Sequence, residues 1–321
     1  MRGVIVVGAV VTAVVLGVTG CSGTAPSGTA SPGHVGSPSG HAASAAPATG
    51  QPTPSADVAA TRRFAALEQH YGARLGVTAV DTGSGNTIEY RAGERFPFAS
   101  TNKVFIAAAV LRASSAADLD TVVHFGRSDL LEYAPITSQH VDSGMTVRAL
   151  IDAALRYSDN TAANLLVVRL GGVSAVERYL RSIGDRTTNV DRVEPDLNQS
   201  TPGDPRDTST PAQFAADLRA VVLGTALDPA NRQVLRGAML QNTTGGATIR
   251  AGVDAGWPVA DKTGTGSYGV RNDIAVVYPP GREPIVVVVM TRRDVQGAEG
   301  SDALVAATAK AAVGQLLGTA K

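Results

Sequence analysis

Four short runs place nucleophilic, basic and anion-binding side chains close together. The first is Phe98-Ala99-Ser100-Thr101-Asn102-Lys103, leading into VFIAAAVL. A helix beginning near Ser100 puts Ser100 and Lys103 one turn apart on one face, with Cβ atoms about 5–6 Å apart. A serine is a weak nucleophile until a base takes its proton, and a desolvated lysine can be that base. The helix N-terminus also offers free N–H groups where an oxyanion would form. The plainer alternative is an N-capping serine beside a solvated lysine. Against it, the following helix is apolar nearly all round, which predicts burial.

The second run is Ser158-Asp159-Asn160, between TVRALIDAALRY and TAANLLVVRL. In an extended turn a hydroxyl and an amide two residues apart both face a cleft; as a helix N-cap the same residues have no chemistry. The third is Lys262-Thr263-Gly264-Thr265-Gly266 on a late strand. An ammonium beside two hydroxyls suits a carboxylate, and the glycines admit a ligand to the backbone. The alternative is an edge strand blunted by lysine and glycine. The fourth is Arg192-Val193-Glu194-Pro195-Asp196-Leu197-Asn198, in a loop running on to Asp207. Paired Arg192 and Asp207 would staple an Ω-loop. Glu194 is then a candidate base that grips a water with Asn198; otherwise it belongs to a solvated acidic loop. Lysine usage bears on the choice. The chain has four lysines against twenty-four arginines, and two of the four are Lys103 and Lys262. Arginine keeps its proton and lysine can lose it, so the retained lysines point to a need for amines.

Helical spacing covers Asp57–Tyr71, and a hairpin pattern joins Arg74–Val80 to Thr87–Tyr90. From Thr101 to about Leu240 the pattern is mainly helical, interrupted around Glu194–Pro211. Strands return at Val259–Thr263, Ile274–Tyr278 and Pro284–Met290, and a helix, Asp302–Leu317, follows. The strands thus come from both chain ends and the helices mostly from the middle. This predicts an α/β (α+β) fold: an antiparallel sheet built from both ends and flanked by helices, plus an inserted all-helical lobe. The active site belongs in the cleft between them.

The four runs, in this order, resemble the class A serine β-lactamases, which carry S-x-x-K, S-D-N, E-x-x-L-N and K-T-G. The resemblance covers Asp57–Leu317. It implies an acyl-enzyme on Ser100, with Lys103 and Glu194 both candidates for the acylation base. It implies that Ser158 passes a proton to the departing nitrogen. Backbone N–H groups of Ser100 and Thr265 would form the oxyanion hole. Asn160 would bind the antibiotic's side-chain amide; Lys262, Thr263, Gly264, Thr265 and Arg271 would take its carboxylate end. Tyr133 would wall the cleft, Glu194 with Asn198 would activate the deacylating water, and Arg192 with Asp207 would staple the loop. The Glu194–Pro195 bond is a candidate cis peptide. The implied partners are penicillins and cephalosporins, and the implied outcome is antibiotic resistance. The alternative is a penicillin-binding D,D-peptidase or transpeptidase acting on peptidoglycan stem peptides, which shares three motifs but does not need Glu194 and Asn198. A non-catalytic binding module on the same fold is a further alternative.

The ends of the chain carry a separate expectation. A charged start, an apolar run and Val18-Thr19-Gly20-Cys21 match a lipoprotein signal peptide over residues 1–21, resembling a lipobox. Cys21 is the single cysteine, so no intrachain disulfide is possible. Residues 22–56, nearly all Ser, Gly, Ala, Pro and Thr, read as a disordered tether to a catalytic domain at 57–321. The expected location is therefore the outer face of the cell membrane, held by a lipid on Cys21, with some protein released. Net charge is zero with no basic block, which argues against nucleic acid. No metal-ligand spacing occurs, no cofactor is implied, and a monomer is expected.

Overall fold

The computed structural model describes residues 54–319. Cys21, the signal-peptide run and all but the last residues of the expected tether lie outside them. Helix α1 (Pro54–Tyr71) begins three residues before the expected Asp57. A proline in the first helical turn gives up no N–H that the helix needs.

Strands β1 (Arg74–Asp81) and β2 (Thr87–Tyr90) form the expected antiparallel hairpin. Four two-residue strands follow: β3 (Phe96–Pro97), β4 (Val122–Val123), β5 (Met145–Thr146) and β6 (Thr208–Ser209), paired β3 with β6 and β4 with β5. The chain then supplies β7 (Val259–Gly266), β8 (Val270–Val277) and β9 (Ile285–Arg292). The main sheet is antiparallel throughout, in the order β2-β1-β9-β8-β7. Both of its faces are covered, so β9 is apolar at successive positions. Ile285, Val287 and Val289 enter one core; Val286, Val288 and Met290 enter the other.

The remaining helices are α2 (Lys103–Ala113), α3 (Ala116–Leu119), α4 (Val147–Arg156), α5 (Asn160–Leu170), α6 (Val173–Ser182), α7 (Pro211–Val222), α8 (Pro229–Leu240), α9 (Ile249–Gly252) and α10 (Asp302–Leu316). Helices α1 and α10 pack together on the outer face of the sheet, and α7 covers the inner face. Helix α2 is buried from Lys103 to Leu111 and is the axis of the helical lobe, touching α4, α5, α6 and α8. That explains an apolar pattern with no polar face.

Two expectations need correction. Between Asp120 and Met145 the chain is turns, short 3-10 pieces and the β4–β5 pair, not helix. The β-branched Thr121-Val122-Val123, then Gly126 and Pro135, oppose helix there. The irregular stretch before α7 also begins earlier than Glu194, directly after α6. Asp185 accepts the amides of Thr187 (2.6 Å) and Thr188 (2.9 Å), a local alternative to helical bonding.

Candidate active site

A 3-10 turn, Ala99–Asn102, precedes α2 and sits against β7. Ala99 has φ +47°, a left-handed conformation for a residue with a Cβ. The turn directs Ser100 Oγ inward. Lys103 Nζ donates to it at 2.7 Å, and it donates to Glu194 Oε1 at 3.1 Å. Lys103 Nζ also lies 2.8 Å from Glu194 Oε1 and 2.6 Å from Asn160 Oδ1. Burial pulls the Lys103 amine below its usual range, against the upward pull of Glu194. Among the described residues, the candidate nucleophile and both candidate bases thus share one buried cluster.

Residues 158–160 serve the cap and the cleft together. Asp159 is the N-cap of α5, accepting from Ala162 N at 2.9 Å. Its carboxylate also takes the amides of Ile136 and Thr137 and the Thr137 hydroxyl, anchoring the loop that carries Tyr133. Ser158, at φ +60°, turns its hydroxyl to Lys262 Nζ at 2.9 Å, and its carbonyl accepts from Lys103 Nζ at 2.9 Å. Ser158 therefore bridges the two buried lysines. Burial brings the Lys262 amine down to about 7, with Lys103 pushing the same way and Asp261, Asp273 and Glu194 opposing.

On β7, Thr263 Oγ1 lies 2.5 Å from Thr244 Oγ1, and Thr265 Oγ1 accepts from Arg271 Nη1 at 3.1 Å. Arg271 is also held by Asp302. Gly264 does not line the cleft. A Cβ there would stand 2.8 Å from Phe98 O and 3.1 Å from Thr101 N, so the glycine lets β7 close on the Ser100 turn.

The loop carrying Glu194 is pinned at several points. Arg192 Nε donates to Asp207 Oδ2 at 2.5 Å, while Asp207 Oδ1 takes the amides of Asp191 and Arg192. Glu194–Pro195 is cis. Asn198 Nδ2 donates to Glu194 Oε2 at 2.5 Å, and Asn198 O accepts from Ser267 N at 2.9 Å.

Sequence reasoning missed three supports. Asn164 clasps the Glu194 backbone, accepting its N–H at 3.0 Å and donating to its carbonyl at 2.8 Å. It sits one helical turn after Asn160 in an otherwise apolar stretch, and that spacing was the available signal. Behind Lys262, Asp261 is held by Asn242 (2.6 Å) and Arg250 (2.7 Å). Asp273 is held by Thr248 (2.6 Å) and the Ile249 amide (3.0 Å). Burial raises both carboxyls, and each lies on β7 or β8, where sequence alone shows an acidic residue in a strand.

A cleft of about 420 Å³ opens over these groups, lined by Ser100, Tyr133, Ser158, Asn160, Thr265 and Arg271 among others. Lys103, Lys262 and Glu194 lie beneath its floor. A larger cavity, about 880 Å³, includes Trp257, Lys310 and Leu317 but none of the cluster; chemistry, not volume, marks the site. Among the described residues, no group of three or more His, Cys, Asp or Glu is gathered to hold a metal.

The beta-lactamase enzyme family model matches residues 59–316. The chain belongs to the beta-lactamase enzyme family. A beta-lactamase of Amycolatopsis lactamdurans is 53% identical over 257 residues, 80% of this chain and 85% of that one. A beta-lactamase of Bacillus amyloliquefaciens is 50% identical over 255 residues, 79% and 83% of the two chains. The solved beta-lactamase of Desulfarculus baarsii superposes with a TM-score of 0.80 at 44% identity, covering 82% of this chain and 99% of that one. A mutant of the class A beta-lactamase of the last common ancestor of Gram-negative bacteria gives 0.78 at 48%, covering 80% and 98%. The antiparallel sheet flanked by helices is thus the class A beta-lactamase fold, and the motif resemblance and these neighbours agree on the class.

Proposed function

We propose that this chain opens β-lactam rings through an ester on Ser100 and releases the product with a water activated by Glu194, conferring resistance to penicillins and cephalosporins. In acylation Ser100 Oγ attacks the lactam carbonyl carbon. Its proton passes to Glu194 when Lys103 is charged, or to Lys103 when the amine is neutral; both lie within hydrogen-bond reach. The carbon–nitrogen bond breaks, and the nitrogen takes a proton through Ser158, which bridges Lys103 and Lys262. The oxyanion faces the N–H groups of Ser100 and Thr265. In deacylation Glu194 takes a proton from water, the hydroxide attacks the ester carbonyl, and Ser100 Oγ leaves with a proton. Thr263, Thr265, Arg271 and Lys262 receive the substrate carboxylate, Asn160 its side-chain amide, and Tyr133 its apolar flank.

One observation carries this reading: Glu194 is held by Asn198 through one oxygen and meets Ser100 through the other. A target that β-lactams trap has no use for such a base. Glu194→Ala should acylate and then stall, leaving an adduct on Ser100 visible by intact-protein mass. Rapid turnover of a chromogenic cephalosporin by that variant would overturn the assignment.

We propose also that the protein is exported and held on the outer face of the membrane by a lipid on Cys21. The support is the order of charged, apolar and small residues ending at the single cysteine. Cys21→Ala should move activity from the membrane fraction to the medium; a membrane-bound variant with its signal peptide removed would refute the anchor.

A further inference from the structure

The neck of the Glu194 loop rests on two buried carboxyl groups that play no part in the chemistry above. Asp185 follows α6 and is fully buried; Asp217, on α7, is 2% exposed. Asp185 Oδ1 accepts the amides of Thr187 and Thr188, and Gln213 donates to Asp217 Oδ1 at 2.9 Å. The two carboxyl groups lie within hydrogen-bond reach of each other. Yet Asp185 Oδ2 and Asp217 Oδ2 are each buried without a donor. Two carboxylates in contact repel, and a proton shared between them turns that repulsion into a hydrogen bond.

The surrounding charges decide which oxygen carries it. Arg181, on α6, reaches Asp185 Oδ1 at 3.6 Å, beside the Thr187 and Thr188 amides. Asp217 is given one neutral donor, Gln213. Tyr179 of α6 and Arg112 at the end of α2 complete the ring of titratable and charged neighbours. Arg112 acts on Tyr179, whose hydroxyl is buried and unpartnered. We propose that Asp217 is a positioning residue for Glu194: as a neutral acid it donates to Asp185, and this proton fixes the neck of the catalytic loop. Burial first, and the Asp185 charge next, push the Asp217 carboxyl up to about 8. The lock therefore opens in the mildly alkaline range.

From Asp185 the path to the base is short. Thr188 O accepts from Arg181 Nη2 at 2.6 Å, and Thr188 Oγ1 meets Ser209 Oγ at 2.7 Å. Asn189 N donates to Thr208 O, and the next residues enter the Asp207 staple that leads to Glu194. Ionised Asp217 places a second charge against Asp185 in a buried site, so Asp185 must shift and release the Thr187 and Thr188 amides.

The inference rests on Glu194 as the deacylation base, and its test separates the two. Hydrogen exchange of residues 187–194 in the purified protein is compared with that of α10, an internal standard, from about pH 7 to about pH 9, together with the deacylation rate. In the wild type, relative loop exchange should rise about tenfold and deacylation fall about tenfold across that window. Asp217→Asn, whose amide still donates to Asp185, should flatten both profiles. Asp185→Asn, which donates in the opposite direction, should flatten them too. Loop exchange that tracks α10 in the wild type overturns the lock even if no variant folds, as do superimposable wild-type and Asp217→Asn profiles. An exchange change without a deacylation change overturns the positioning role. Failure of the Glu194 reading shows elsewhere, as normal turnover by Glu194→Ala.

Discussion

At Lys103 and Lys262, burial and function act on the same property. Each amine is sealed from water beside Ser158, and each is pulled toward neutrality. Lys262 carries its charge below about 7 and loses it above, so its attraction for a carboxylate weakens as pH rises through that value. For a carboxylate-bearing β-lactam, kcat/KM, which reports the free enzyme, should fall above about pH 7. Lys262→Arg should abolish that limb in a pH–rate profile, since a guanidinium stays charged. Asn164 belongs to the same scale. Asn164→Ala removes both bonds to the Glu194 backbone, about 1–3 kcal/mol with a buried group left unpaired. Deacylation should slow by about tenfold to a hundredfold, with acylation less affected, measured as adduct accumulation under single turnover.

Among the elements, β7 and the turn before α2 bring the halves of the cleft together. The clearance between them is set by Gly264, whose missing Cβ accommodates Phe98 O. Gly264→Ala should displace the strand, cost about 1–3 kcal/mol and sharply reduce acylation. A lower Tm together with burst kinetics that lose amplitude would check this. The same pairing shows what was readable in advance. The motif residues could be named because each has a distinctive side chain, β1 and β2 because a turn-rich stretch joins two short runs, and β9 because its apolar run is continuous. Asn242, Thr244 and Asn164 could not, since an amide or hydroxyl carries no sign of which distant backbone it will clasp. The segment from Asp120 to Met145 departs from the helical pattern because its β-branched run and Pro135 sit between Ala- and Leu-rich flanks. Ser158-Asp159-Asn160 offered two readings, and the fold uses both: Asp159 caps, while its neighbours face the cleft.

On the scale of the whole molecule, the proposed nucleophile, Ser100, stands at the head of the helical lobe's α2, and the proposed carboxylate site, Lys262–Thr265, lies on the sheet. A site at such a junction is shaped by how two cores meet, not by either alone. Helix α9 illustrates this. Its Arg250 and Ile249 hold Asp261 and Asp273 behind Lys262, while its Gly252 packs on α10. The outer face of the sheet thereby reaches the floor of the cleft.

Strand β1 lies inside the sheet, between β2 and β9, and pairs along its full length with residues 285–292. During synthesis one of its edges stays bare until residues 285–292 have emerged. A nascent chain with an apolar strand edge open for about 200 residues offers a template to other chains, and non-local closure of this kind is slow. The enzyme's vulnerable period therefore precedes its first turnover. Chains released before residue 285 should not merely be inactive; they should be the aggregating species.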